Sequence, residues 1–390
     1  MASKLTKIVV GLSLQADQAQ VTYFYPSLKE PETLMVDKED GTKTHVISIS
    51  RAVWNSAAGL GEGISTLNDF FRDILIRVAG EGHFDCVHIM VTVPYLERLI
   101  STRIPQSLTM LGIPRKNIFL QDHQSSFYWY AVNQRKELYN GDVALIEMTD
   151  DRYQRYVMHI DRSKSPALVG IEKRNTLQIR ESDRGGRDDE AWEKEKDRLF
   201  FEFLKKVFER KNVVTCYLMG DSFDPKRASR SFSFLTSGRH AFMGDNLYTK
   251  GACFAAMERC GLLPGKDMLF MGRDIISDNI SMYLRVKGKE VYYPLISAGI
   301  NWYEAHYECD IIPDGENSIT LHTKPMTGGE ETAHIMLLEN FPDRPQRASR
   351  IRMTIYFTDA RTCCVEAEDL GFGGFFRPSG MKWSRRIILK

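Results

Sequence analysis

The order of predicted strands and helices is the feature that most limits what this chain can fold into. Apolar patterns in the first part of the sequence predict three strands, a helix, a strand and a helix. The clearest elements are a helix over 64–79, with apolar residues at spacings of three and four, and a buried strand over 87–93. The same succession begins again with a strand over 142–148, continues through a buried strand over 213–219 and ends with a helix near Cys260. This internal duplication predicts two similar α/β lobes in series.

The last hundred residues have a different pattern. From about Glu290, seven short alternating stretches are separated by turns rich in glycine and proline, and the sequence contains no convincing helix. Many short strands at such spacing are typical of an all-β sandwich. We therefore predict a first lobe over 1–140, a second lobe over 141–288 and a β-sandwich domain over 289–390.

Composition excludes several classes of protein. The formal net charge of the 390 residues is +1, so there is no global argument for nucleic acid or an anionic membrane as a partner. No apolar run reaches the roughly 18 residues of a membrane span, and the N-terminus lacks the pattern of a signal peptide. The seven cysteines are odd in number and have no Cys-x-x-Cys spacing, which favours reduced thiols. We expect a cytoplasmic protein, and no metal site, because His306 and Cys309 alone are too few ligands.

Several segments occur in an order that matches a known family. They are IMVTVP (residues 89–94), IFLQDHQSSFYWY (118–130), VALIE (143–147), YLMGDS (217–222) and GACFAA (251–256). In this order they resemble the actin-like ATPase superfamily, and most closely its DnaK-type heat-shock chaperones. Residues 338–369 are similar to the peptide-binding β-sandwich of those chaperones. The resemblance implies two duplicated ribonuclease-H-like lobes, the actin-like ATPase fold, followed by a C-terminal all-β sandwich.

The segments that should hold phosphate depart from the family pattern. In the superfamily two hairpin loops begin Asp-x-Gly, since glycine lets backbone N–H groups approach phosphate and aspartate holds hydrated Mg²⁺. Here Ser13 stands at the aspartate of the first loop and Gln15 at its glycine. In the second loop Glu147 keeps an acid, but Thr149 replaces a glycine and two aspartates follow it. These changes indicate weak or lost phosphate binding.

The remaining site positions are partly kept. Gly220 matches the first glycine of the adenosine motif, whereas Asp221 replaces the second and Ser222 follows it. Asp122 matches the glutamate that helps to place the attacking water. Each lost charge-assisted hydrogen bond costs roughly 1.5–3 kcal/mol, so losing three or four weakens nucleotide binding by about three decades or more.

Two hypotheses follow. The first is a degenerate DnaK-like scaffold that is not an enzyme and has no cofactor. It binds an extended peptide or a protein through the sandwich and binds neither nucleic acid nor membrane. The alternative is a divergent ATPase of the chaperone type that uses ATP and Mg²⁺, with Asp122 and Glu147 as the catalytic pair. The other interpretation of these two acids is that they are polar residues lining a solvated cleft. A third hypothesis is filament formation. The chain ends directly after its last strand, so we expect no helical lid.

Three further clusters each have two interpretations. The aromatic run 127–130 packs a helix against a sheet, or forms a ligand platform. The arginines at 344, 347, 350 and 352 lie on a solvated face, or bind an acidic partner. The loop 371–376, with three phenylalanines among its glycines, forms a partner-binding rim, or is anchored to its own sandwich.

Overall fold

The chain divides into two compact units, Met1–Gly272 and Arg273–Lys390. The predicted boundary at 288/289 lies C-terminal to this division, because a strand over 278–286 pairs with strands of the smaller unit. The structure, a computed structural model, describes residues 7–38, 40–82, 84–149, 151–209, 212–220, 224–314 and 317–389, with only the backbone of 174 and 175.

The N-terminal half of the larger unit is an α/β region. Its elements are β1 (Ile8–Leu14), β2 (Gln18–Phe24), β3 (Glu32–Thr33), β4 (Val36–Asp37), β5 (Lys43–Thr44), β6 (Ile47–Ser48), α1 (Arg51–Ala58), α2 (Ile64–Ala79), β7 (Val87–Val93), α3 (Arg98–Met110), β8 (Ile118–Asp122) and α4 (His123–Val132). The strands form a sheet of order β3-β2-β1-β7-β8, in which β6 also pairs with β2. The first strand is antiparallel to β2 and parallel to β7, and β7 is parallel to β8.

The second half of this unit repeats that arrangement. Its elements are β9 (Asp142–Met148), β10 (Arg152–Asp161), β11 (Ala167–Gln178), α5 (Asp189–Phe208), β12 (Val213–Met219), α6 (Ser229–Thr236), β13 (His240–Gly244), α7 (Leu247–Arg259) and β14 (Met268–Phe270). The sheet order is β13-β12-β9-β10-β11-β14. As in the first sheet, the first strand lies in the middle, antiparallel to the second and parallel to the fourth. Five strands of each sheet therefore share one order and one set of directions.

Alternation along β9 explains how the second sheet is covered. Ala144 and Ile146 face α5 and α6, whereas Val143 and Leu145 face α4 and α7. Both sets are fully buried, as expected for a central strand with helices on both faces. Helix α7 also packs on β1 and β7 of the first sheet through a second cluster of small side chains. It is therefore the element that joins the two sheets.

The smaller unit is built from strands. They are β15 (Asp278–Val286), β16 (Lys289–Ile296), β17 (His306–Ile311), β18 (Ser318–Pro325), β19 (Thr332–Leu337), β20 (Ile351–Asp359), β21 (Thr362–Asp369) and β22 (Lys382–Ile388). Two antiparallel sheets, β16-β15-β18-β19 and β17-β20-β21-β22, enclose a single apolar core. The described part of this unit contains no α-helix, which confirms the predicted all-β character.

Predicted elements with strong periodicity are confirmed, and weak ones were missed. The helix over 64–79 and the strands over 87–93, 142–148 and 213–219 have the predicted bounds. The sequence pattern did not indicate the short elements α1, α6 and β13. None of the helices in the described residues is long and apolar enough to cross a bilayer.

Candidate functional site

The candidate site lies where α4 and α7 meet the edges of the two sheets. Helix α4 starts directly after β8, and Asp122 caps it by accepting hydrogen bonds from the backbone N–H of Ser125 (2.8 Å) and from its hydroxyl (2.7 Å). Helix α7 is held against β1 by Thr249, whose hydroxyl lies 2.9 Å from the carbonyl oxygen of Gly11. The site residues are thus attached to regular elements and not to long loops.

Two glycines allow this close assembly. A Cβ on Gly251 of α7 would come well inside 3.0 Å of the carbonyl group of Ser126 in α4. A Cβ on Gly11 would come equally close to the backbone of Thr249 and Cys253 in α7. Because the obstructing atoms are backbone atoms, no side-chain rotation could relieve either contact. Main chains of α4, α7 and β1 therefore touch at the centre of the unit.

A cluster of polar side chains is enclosed beside these contacts; we call it the central polar cluster. The Tyr156 hydroxyl donates to Oε2 of Glu147 at 3.3 Å. The His123 ring stacks on the Tyr248 ring with centroids 3.8 Å apart and an angle of 20°. Nε2 of His123 has no hydrogen-bond partner among the described residues, and the Tyr248 hydroxyl interacts with the carboxylate of Glu147. The members of the cluster are Asp122, His123, Glu147, Tyr156 and Tyr248.

Burial controls the charges in the central polar cluster. Loss of solvent, with a smaller contribution from Lys173, lowers the pKa of His123 to about 3, so its imidazole is neutral at physiological pH. Desolvation raises the pKa of Glu147 against the opposing hydrogen bond from Tyr156. The pKa of Tyr248 is raised well above its usual range by burial and then by the charge on Glu147. The environment therefore favours uncharged side chains.

The structure places the two candidate catalytic acids in one neighbourhood. Asp122 and Glu147 both raise the pKa of Tyr156 and of Tyr248, which places both acids near the same two hydroxyls. The idea that the acids line a solvated cleft is wrong for Asp122, which is 3% exposed. Glu147 keeps some surface area, but protein atoms surround its carboxylate closely enough to desolvate it. The physical reason is the stacked His123–Tyr248 pair, which lies beside both acids.

The two predicted phosphate loops are tight hairpin turns. The backbone N–H of Gln15 donates to the carbonyl oxygen of Gln18 at 2.9 Å, and the side chain of Gln18 donates to that of Gln15. In the second turn the backbone N–H and the hydroxyl of Thr149 both donate to the carbonyl oxygen of Arg152, at 2.9 and 3.1 Å. Both amide groups at the predicted phosphate positions are therefore used within their own turns.

The other predicted positions are less informative. Ser13 lies buried on β1, two residues from Gly11 and on the same face, and its hydroxyl has no partner among the described residues. Gly220 directly follows β12 with a φ of 111°, and a Cβ there would overlap the carbonyl group of Met148. Asp221 and Ser222 lie outside the described residues. His123 and Tyr248 were not proposed as site residues, because no local pattern indicates that their rings stack.

The aromatic and arginine clusters receive structural roles. Phe127 and Tyr128 are buried in the core between α4 and the second sheet, so the packing interpretation is confirmed for them. Arg344 forms a bidentate ion pair with the buried Asp369, at 2.8 and 2.7 Å. The Asp369 carboxylate also accepts from the backbone N–H groups at 371 and 379, and so fixes both ends of the phenylalanine loop. In that loop Phe375 is 91% exposed.

The residues of the central polar cluster do not match the needs of a metal-bound triphosphate. The described residues contain no group of three or more His, Cys, Asp or Glu side chains placed to hold a metal ion. Glu147, the acid at the second predicted loop, is hydrogen-bonded to a tyrosine and has a raised pKa, whereas Mg²⁺ prefers ionised oxygen ligands in open octahedral geometry.

Comparison with family models divides the chain where its structure divides. Residues 61–273 match the C-terminal part of a family described as being of unknown function (DUF5716). The chain belongs to this family. Residues 275–389 match a second model, a domain of unknown function (DUF8552), which falls within the smaller unit. No curated protein sequence matches this member of the family significantly.

Solved structures similar to this DUF5716 family member include sugar kinases and a protein of actin-like ATPase fold. The inorganic polyphosphate/ATP-glucomannokinase of Arthrobacter sp. strain KM has a TM-score of 0.40 at 12% identity, over 66% of this chain and 100% of its own. A putative sugar kinase of Cytophaga hutchinsonii has a TM-score of 0.37 at 9% identity, over 64% of this chain and 99% of its own. A Bacteroides thetaiotaomicron protein with actin-like ATPase fold and unknown function has a TM-score of 0.35 at 9% identity, over 64% of this chain and 97% of its own.

Proposed function

We propose that this chain is a non-hydrolysing protein with the duplicated lobes of the actin-like ATPase fold, related to the DnaK type, whose β-sandwich binds an extended protein segment. The strand order and strand directions repeated in the two sheets of the larger unit support the duplicated fold. The sequence order of the motifs around Asp122, Glu147 and Gly220 supports its relation to that superfamily. In this proposal the larger unit is a rigid support, and binding belongs to the smaller unit.

The main support for lost nucleotide binding is that backbone amides in the two predicted phosphate turns already donate hydrogen bonds within those turns. A phosphate loop works because several N–H groups point at the anion with no other partner. The N–H groups of Gln15 and Thr149 instead donate across their turns. Opening the turns for phosphate would break one backbone hydrogen bond in each turn. The carbonyl groups of Gln18 and Arg152 would then need new partners.

The central polar cluster supports the same conclusion. A nucleotide at this position would need room and ionised carboxylates beside it. The His123 ring instead stacks on Tyr248, and Glu147 is desolvated and bonded to Tyr156. Binding a polyanion here would therefore require separating the stacked rings in an enclosed region.

A divergent ATPase remains the second candidate, because one observation favours it. Asp122 and Glu147 come from different sheets, yet both lie near the hydroxyls of Tyr156 and Tyr248. Two acids brought together at the ends of neighbouring sheets could hold a hydrated Mg²⁺ if the region opened. In that case Asp122 would position water, and Glu147 would bind the metal.

Calorimetric titration of the full chain with Mg-ATP separates the two candidates. We expect no heat of binding up to millimolar nucleotide and no release of phosphate. Micromolar binding that is lost in Glu147→Gln would refute the scaffold and support the ATPase. Lys173→Gln, which changes a charge near the same cluster without removing an acid, serves as the matched control.

A peptide array probed with the full chain tests the binding half of the proposal. We expect retention on peptides of extended, β-prone sequence, because the open edges of a sandwich pair with added strands. Retention on no peptide would contradict this half and would leave the conclusion on nucleotide unaffected.

A further inference from the structure

The edge strand β16 has the exposure of a docking strand. It is the last strand of its sheet, and among the described residues it pairs only with β15. All residues from 289 to 294 are exposed, and Val291, Tyr292 and Tyr293 keep 41–43% of their surface. Natural sheets normally protect such an edge with charge, a bulge or a covering element. The charged residues 289 and 290 and the proline at 294 are protection of this kind, but the stretch 291–293 between them leaves apolar surface exposed on both faces, and this stretch is where another chain can add.

Pro294 identifies which backbone groups of β16 are free. An edge strand pairs with a neighbour on one side only. A proline in such a strand must direct its nitrogen away from that neighbour, because it has no N–H to donate. Pro294 lies opposite Ser281 in the pairing of β16 with β15. Since the hydrogen-bonding direction alternates along an antiparallel strand, Glu290 and Tyr292 also direct their N–H and C=O groups outward. The edge from 290 to 294 thus offers two donors and three acceptors to an added strand.

Side chains beside these groups can hold the added strand. Tyr292 lies directly opposite Tyr283, with ring centroids 5.7 Å apart at 71°. The Tyr283 ring in turn meets the His322 ring edge-on at 4.9 Å. On the other side the hydroxyl of Tyr307 donates to that of Tyr293 at 3.4 Å. These rings form fixed surfaces on both faces of the edge, which suits the alternating side chains of an extended peptide.

The charge near the hairpin tip selects the partner. The turn between β15 and β16 is formed by Lys287 and Gly288, which both have positive φ, so the lysine projects at the end of a two-residue hairpin. Lys287 and Lys289 are exposed and make no ion pair with the described residues. Asp314 is shared between Arg285 and Arg347, and therefore does not neutralise both arginines. Glu290 lies opposite Arg285, so the tip has four cations, at 285, 287, 289 and 347, against the two carboxylates of Glu290 and Asp314.

We propose that β16 is the docking strand for an acidic extended peptide, which adds to the edge at 290–294 with its carboxylates toward Lys287 and Lys289. This inference rests on the proposed function and names the strand and the chemistry of its partner. Backbone pairing supplies affinity, the tyrosines hold apolar side chains, and the lysines favour acidic sequences.

Fluorescence anisotropy with the full chain tests the proposal. The probe is a labelled ten-residue peptide of alternating valine and threonine with three glutamates at one end, and a matched peptide carries three lysines. We expect the acidic peptide to bind at least tenfold more tightly, and this preference to disappear in Lys287→Glu/Lys289→Glu. Tyr292→Pro removes one outward N–H without breaking the pairing with β15, and should weaken binding roughly tenfold.

Tyr292→Thr is the matched control, because it removes the ring but keeps the N–H, and should retain more affinity than Tyr292→Pro. Hydrogen exchange in β15 verifies that each variant is folded. Binding unchanged by Tyr292→Pro and by the lysine changes would overturn this docking strand while leaving the peptide-binding function in place. Dimerisation that is lost in Tyr292→Pro would overturn the peptide in favour of a second copy. Absence of binding by any peptide would overturn both the docking strand and the peptide-binding half of the proposed function.

Discussion

Gly251 is the position where a single methyl group should test how the two sheets are joined. Any Cβ on this glycine would overlap the carbonyl oxygen and carbon of Ser126, since both would lie under 3.0 Å away. The obstruction is the backbone of α4, so the variant Gly251→Ala must push α4 and α7 apart. Such a shift would also disturb Thr249, which holds α7 to β1 through the carbonyl group of Gly11.

The expected magnitude is the difference between two effects of opposite sign. Replacing glycine by alanine inside a helix gains about 1 kcal/mol of helix stability. Overpacking a tightly packed interior costs about 1–3 kcal/mol, and a backbone obstruction belongs at the upper end of that range. We therefore expect a net loss of about 2 kcal/mol. For a unit of this size that corresponds to a fall in Tm of roughly 4–8 °C.

Thermal unfolding together with hydrogen exchange measures this effect. The exchange of amides in α4 and α7 should increase in Gly251→Ala, and the amides of the sandwich should be unaffected. Gly170→Ala is the matched control, because a Cβ on that strand glycine meets no atom within 4 Å. Gly251→Ala with the stability of the unchanged protein, or higher, would refute the close contact between α4 and α7.

Two further predictions concern buried charges. Asp369→Asn leaves the enclosed Arg344 without its counter-charge and should cost about 3–5 kcal/mol, whereas Asp314→Asn breaks two exposed ion pairs, with Arg285 and Arg347, and should have a much smaller effect; equal thermal shifts for the two would contradict the buried ion pair. Because the pKa of His123 falls to about 3 on folding, the folded state resists its protonation, and stability is lost as pH falls from about 6.5 toward 3, by ~1.4 kcal/mol per pH unit. The raised pKa of Glu147 has the opposite effect on stability, so this acid is removed in both variants to be compared, Glu147→Gln and Glu147→Gln/His123→Gln. Urea unfolding gives the free energy of unfolding of each variant as a function of pH. Parallel pH profiles of the two variants would exclude a buried neutral histidine.

The fold could be predicted wherever a pattern is long enough to be read locally. Helix α2 and strands β7, β9 and β12 have the predicted bounds, since their apolar residues follow a helical or continuous period. The short strand β13 was missed because its residues are largely exposed and show no alternation of burial. No strand was predicted at the position of β15, and its residues were placed in the second lobe, because sequence alone does not indicate which sheet a segment will join.

The candidate site was only partly predictable. The motifs of the sequence indicated Asp122 and Glu147 as candidate catalytic acids, and the structure brings both near the same tyrosines. The sequence did not indicate that His123 would stack on Tyr248, because these residues are far apart in the chain and meet only through the crossing of α4 and α7.

The sequence by itself determined the α/β character of the larger unit, the β character of the smaller one and the lack of glycine in both predicted phosphate turns. These properties depend on which residues are neighbours along the chain. Only the tertiary structure decided that the amides of Gln15 and Thr149 are used within their turns, that a stacked pair of rings lies beside the two acids, and that β16 stays uncovered. Burial and hydrogen-bond partners depend on contacts between distant segments, and no local pattern encodes them.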